Sequence, residues 1–94
     1  MTFRVLVSEN SHYMDEGERY EHGTFASADE ALAAAKKIVD DFLLNAHKPA
    51  MSAQDLFKHY TMFGEDPFIV SAGGTRVEFS AWNYARERCA EICR

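Results

Sequence analysis

The chain has 94 residues, 47% hydrophobic and 27% charged, and its 15 acidic and 10 basic residues leave a formal net charge of −5. That balance belongs to a single globular domain, residues 1–94, and excludes a disordered chain, which needs low hydrophobicity together with high charge. A domain this short buries a modest share of its surface, so its stability margin is thin and self-association is one way to widen it.

The predicted elements run as follows. Thr2 to Ser8 alternates, with Phe3, Val5 and Val7 on one side and Arg4, Leu6 and Ser8 on the other, which predicts a strand. A polar stretch from Glu9 to Glu18 leads to a second strand, Arg19 to Phe25, so the two form an antiparallel ribbon with a long acidic connection. Ser27-Ala-Asp-Glu30 is a capping box, opening a helix over about Ala28 to Asn45. Its apolar face is Ala31, Leu32, Ala35, Ile38, Val39, Phe42 and Leu43, with Lys36, Lys37, Asp40 and Asp41 opposite and Asn45 and Pro49 as the stop.

Ser52 opens a second helix with Leu56, Phe57, Tyr60 and Phe63 as its apolar face, and Gly64 is expected to end it as a left-handed cap. Glu65-Asp66-Pro67 reads as a turn. Phe68-Ile69-Val70 and Thr75 to Phe79 flank Gly73-Gly74, a two-residue hairpin connection in which both glycines tolerate positive φ. Ser80 caps a last helix with Trp82, Ala85, Cys89 and Ile92 as its stripe and Trp82 as a core anchor. The order β-β-α-α-β-β-α predicts an α+β fold, a small mainly antiparallel sheet with helices on one face.

Charge and segment patterns limit the function classes. Ten scattered basic residues form no run, and affinity for nucleic acid comes largely from Lys and Arg displacing counterions. Neither nucleic acid nor an anionic membrane surface is an expected partner. No signal-peptide pattern or membrane span is legible, so the expected location is the cytoplasm, where the two cysteines stay reduced.

One polar constellation could carry chemistry. Between Glu9 and His22 lie five carboxylates against one arginine, interleaved with His12, Tyr13, Tyr20 and His22 itself. His12 or His22 could act as a general base held by Asp15 or Glu16, because histidine titrates near neutrality. Arg19 completes the candidate catalytic set of His12, Asp15, Glu16 and Arg19. A carboxylate-bound cation is the other chemistry, although the spacing is not that of an EF-hand. The plainer reading is a solvated acidic loop pinned by an Arg19–carboxylate pair and by Tyr13 packing, whereas as a binding surface the segment offers Tyr13, Glu18 and Tyr20.

Two further features stand out. The aromatic-dense stretch Tyr60 to Phe68 contains Glu65 and Asp66 and reads either as core or as a docking surface. Cys89 and Cys93 lie one helical turn apart, but a structural zinc site needs four ligands, which His47 or His59 could complete only through the fold. No cofactor is expected.

The phrases His12-Tyr-Met-Asp-Glu16 with Glu18-Arg-Tyr20, Phe63-Gly-Glu-Asp-Pro-Phe-Ile-Val70 and Phe79-Ser-Ala-Trp-Asn-Tyr-Ala85 together resemble a group of short, uncharacterised bacterial proteins. The resemblance implies a single-domain bacterial protein of the cytoplasm and brings no activity, cofactor or functional residue with it. The preferred function is therefore a non-enzymatic binding or regulatory module that contacts another protein or its own copy. The alternative is a small enzyme or a ligand or cation binder built on the acidic hairpin loop.

Overall fold

A computed structural model describes residues 2–9 and 19–93. The elements follow the order β1 (Phe3–Glu9), β2 (Arg19–Phe25), α1 (Ala28–Ala46), α2 (Ala53–Phe63), β3 (Glu65–Ser71), β4 (Arg76–Val77) and α3 (Ala81–Ile92). The four strands form one antiparallel sheet in the order β2-β1-β3-β4. This is an α+β fold.

Each helix begins where a serine can serve its exposed N–H groups. Ser27 Oγ accepts from the Glu30 N–H at 3.1 Å, Ser52 Oγ from Asp55 at 3.1 Å and Ser80 Oγ from Asn83 at 3.2 Å. A side-chain cap of this kind stabilises a helix by about 1 kcal/mol. Along α1, Ala31, Ala35, Val39 and Leu43 are fully buried at four-residue intervals, and the two alanines let the helix approach the sheet closely.

The core has two parts. Val5 and Ile69 of the sheet meet Ala31 and Ala35 of α1, with Phe3, Phe25 and Val77 around them. Val39 and Leu43 then join Leu56 and Tyr60 of α2 and Ala81, Ala85 and Cys89 of α3. Phe79 packs against both groups and links them. Burying a side chain of Val, Leu or Ile size contributes about 1.5–3 kcal/mol, so these contacts supply most of the stabilisation.

Several local expectations need correction. Glu65-Asp66-Pro67 is not a turn but the start of β3, paired residue by residue with Glu9, Ser8 and Val7. β4 reaches only Ile69 and Val70, so among the described strands Pro67 has a neighbour on one side alone, where a missing N–H is tolerated. β4 itself is two residues long rather than Thr75 to Phe79. The hairpin connection is wider than Gly73-Gly74. Ser71 N–H donates to the Thr75 carbonyl at 2.8 Å, and of the two glycines only Gly74 has a positive φ, +86°.

Gly64 is not a left-handed cap, because its φ is −77°. Its lack of a side chain answers a steric demand instead: a Cβ there would lie 2.4 Å from Tyr60 Cδ1. Trp82 is 39% exposed and Phe63 57% exposed, so neither anchors the core. Ala81, one residue earlier, takes the buried place assigned to Trp82 because the stripe of α3 is Ala81, Ala85 and Cys89.

Candidate functional site

The predicted site residues His12, Tyr13, Asp15, Glu16 and Glu18 lie outside the described residues. Arg19 and Tyr20 open β2, opposite Ser8 and Val7. Glu65 and Asp66 open β3, and strand alternation sends them to opposite faces of the sheet. Glu65 lies on the helix side with Pro67 and Ile69, and Asp66 on the other side with Phe68 and Val70.

A cleft of about 460 Å³ opens on the helix side between β2, α1, α2 and the start of β3. Its walls carry His22, Asp41, Asn45, His59 and Glu65 over an apolar floor that includes Ile38 and Phe42. A break in the β1–β2 ladder brings His22 there. Val5 faces Gly23 and Leu6 faces Glu21, so His22 is an extra residue without a partner in the pairing. Regular alternation after Gly23 would have turned His22 away from α1. A bulge of this type re-aims a side chain, and here it aims an imidazole at the cleft.

His59 is held by rings on both sides. It stacks on Phe42 at 5.6 Å between centroids and touches Phe63 at 5.2 Å. Asp41 pairs with Lys37 at 2.8 Å on the exposed helix surface, a contact of small energetic weight. The Glu65 carbonyl accepts from the Tyr60 hydroxyl at 2.7 Å, fixing the start of β3 against α2. Sequence reasoning weighed His22 with the acidic loop and His59 with the cysteines. That both line one cleft depends on the bulge and on the α1–α2 packing, for which the chain carries no local signal.

The opposite face of the sheet is organised in rows by the strand register. Thr24, Arg4, Val70 and Arg76 form one row across β2, β1, β3 and β4. Glu21, Leu6 and Phe68 form the next, and Ser8 lies beside Asp66 in the third. Leu6, Phe68 and Val70 are only half-buried, and the core groups gather the helices on the other side of the sheet. Arg4 Nε donates to Glu21 Oε1 at 2.9 Å, and the Arg76 guanidinium lies 4.7 Å from the Phe68 ring centroid. Burial raises the Asp66 carboxyl above its ordinary range, and the charge of Arg76 partly offsets this.

The cysteines do not gather ligands. Cys89 is buried among apolar groups and Cys93 caps the end of α3. Burial, together with the Cys93 thiol beside it, pushes the Cys89 thiol up to about 11, the reverse of what a reactive thiolate needs. Among the described residues no three His, Cys, Asp or Glu side chains are grouped to hold a metal ion. No described helix is long and apolar enough to cross a membrane.

A polar network that the sequence did not reveal joins α1 to α3. Both Asp40 oxygens accept from the Tyr84 hydroxyl at 3.0 Å, and Arg88 Nε donates to Asp40 Oδ1 at 2.8 Å. Arg88 also reaches Glu91 at 3.2 Å. Asp40 therefore does not belong to the solvated side of α1, where its spacing seemed to put it. Burial, then the hydrogen bond and charge of Asp40, push the Tyr84 hydroxyl up to about 12. The network ties α1 to α3 through Asp40, with Glu91 at its exposed end.

No protein-family model matches the chain, and no curated protein matches it significantly. Function must therefore be argued from the cleft and the sheet face themselves.

Proposed function

We propose that this protein is a small binding module that works by contact with another protein through the helix-free face of its sheet. The observation that carries the reading is the half-buried strip of Leu6, Phe68 and Val70 at the centre of that face, with Arg4, Glu21, Asp66 and Arg76 around it. Apolar centres with charged rims are the pattern of protein contact surfaces. The acidic residues from Glu9 to Glu21 add a local field that steers the approach of a basic region. The test is affinity capture from cell extract with the wild type, Leu6→Glu and Leu44→Glu, the last altering an exposed leucine of α1. Proteins retained by the wild type and Leu44→Glu but lost by Leu6→Glu support the reading. Identical capture by all three overturns it.

A second reading is favoured by one observation, the bulge that turns His22 into the cleft with His59, Asp41 and Glu65. A concave site with convergent polar groups over an apolar floor suits a small polar ligand. Native mass spectrometry of the protein as purified, compared with its denatured mass, tests this reading. Excess mass that disappears in His22→Ala supports it, and a bare chain mass removes a tightly held ligand.

A further inference from the structure

We propose that the groove between α2 and α3 is a binding site for a small organic carboxylate with an apolar body, held by Arg86. The groove shares no lining residue with the His22 cleft and lies on the helix side of the sheet, so it rests on neither reading above.

The spacing of the two helices' buried residues sets the groove. The buried stripe of α3 is Ala81, Ala85 and Cys89, and that of α2 is Leu56 and Tyr60. One position after each buried residue of α3, Trp82, Arg86 and Ala90 form a row along one flank of the helix. Phe57 takes the matching place beside Leu56 on α2. Between them opens a space of about 400 Å³ lined by Ala53, Gln54, Phe57, Arg86 and Ala90. That volume suits a small molecule, and the walls given by Ala53, Phe57 and Ala90 call for an apolar body in it.

Arg86 selects the charge of the occupant. Its guanidinium lies 5.0 Å from the centroid of the Phe57 ring, and Phe57 meets Trp82 edge-on at 6.3 Å. A guanidinium placed over a ring keeps its N–H donors for another partner. Among the described residues no carboxylate pairs with Arg86, whereas Arg4 has Glu21 and Arg88 has Asp40 and Glu91. The planar fork of arginine matches a carboxylate through two parallel N–H···O bonds. Gln54, on the opposite wall, carries an amide with two further donors. One cation and one amide suit a monoanion. A phosphate brings three acceptor oxygens and close to two charges, more than these walls answer.

Titration of the isotope-labelled full chain with phenylacetate, followed by amide NMR shifts, tests the site, with phenylacetamide as an uncharged probe of nearly the same shape. Phenylacetate should move the amide signals of Ala53, Gln54, Phe57 and Ala90, with a dissociation constant on the order of a millimolar for so small a ligand. Phenylacetamide should bind about tenfold more weakly or worse, because the charge-assisted contact is lost. Arg86→Gln should weaken phenylacetate to the level of the amide and leave phenylacetamide unchanged. Lys37→Gln, on the exposed surface of α1, should leave both probes as they are. Equal affinity of the wild type for the two probes overturns the proposal, and this comparison needs no variant to fold. Shifts centred away from α2 and α3, or no saturable shift, overturn it as well. A loss of both probes alike in Arg86→Gln does the same, because it shows that Arg86 only shapes the groove.

Discussion

At two residues the backbone geometry decides what a side chain may be. Lys48 to Met51 forms a turn closed by the Met51 N–H donating to the Lys48 carbonyl at 3.1 Å, with Pro49 and Ala50 at its centre. Ala50 has φ +68°, the left-handed region that favours glycine. Ala50→Gly is therefore expected to stabilise the protein by about 0.5–1 kcal/mol, the relief of strain exceeding the extra freedom of the unfolded chain. Urea denaturation of the two proteins checks the sign. Gly64 is the opposite case. Its φ is ordinary but a Cβ would lie 2.4 Å from the Tyr60 ring and 2.7 Å from the Tyr60 carbonyl oxygen. Because Tyr60 is fully buried and tied to Glu65, it has little room to yield. Gly64→Ala should cost about 1–3 kcal/mol, read as a lower denaturation midpoint with an unchanged slope. Both glycine-related demands were hidden in the sequence: Gly64 looked like a cap, and Ala50 carried no signal.

Among the elements, the helices were the most legible because their start signals are local. Ser27, Ser52 and Ser80 each precede an amphipathic run, and each accepts the N–H three residues on. The strands were less legible. A turn assigned to Glu65-Asp66-Pro67 is overridden by pairing with β1, because ladder hydrogen bonds outweigh the local preferences of Asp and Pro. The Asp40–Tyr84–Arg88 network shows a similar limit, because its members are 44 and 48 residues apart. It gives a direct prediction. Tyr84 titrates near 12 in the folded protein and near 10 when unfolded, so the folded state holds its proton longer. The stability it contributes is complete below about pH 10 and is lost as pH rises through 10 to 12. Asp40→Asn removes one cause of the shift, so the Tyr84 titration followed by ultraviolet absorbance should move back toward 10. An unmoved titration would show that Asp40 does not govern this hydroxyl.

For the molecule as a whole, the net charge of −5 is concentrated between Glu9 and Glu21, a segment with five carboxylates and one arginine. Neutralising Asp15, Glu16 and Glu18 together as Asn, Gln and Gln should slow capture of a basic partner and flatten its dependence on salt. The off-rate should change little, because steering acts on encounter. Surface plasmon resonance at two ionic strengths, with a captured partner as analyte, separates the two rates. Unaltered association in the triple variant would remove the steering role.

By itself the sequence determined the α+β order, three capped helices, an antiparallel pairing at each end of the chain and an acidic local field, because each of these rests on short-range periodicity, capping chemistry or charge. Only the tertiary structure decided that β1 and β3 are neighbours, that a bulge brings His22 to the cleft that His59 also lines, and that Asp40 fastens α1 to α3. It also decided which residues share a row on the sheet face. These are relations between residues far apart in the chain, fixed by strand register and by which apolar faces bury one another. A one-residue slip in register would exchange the two faces of the sheet.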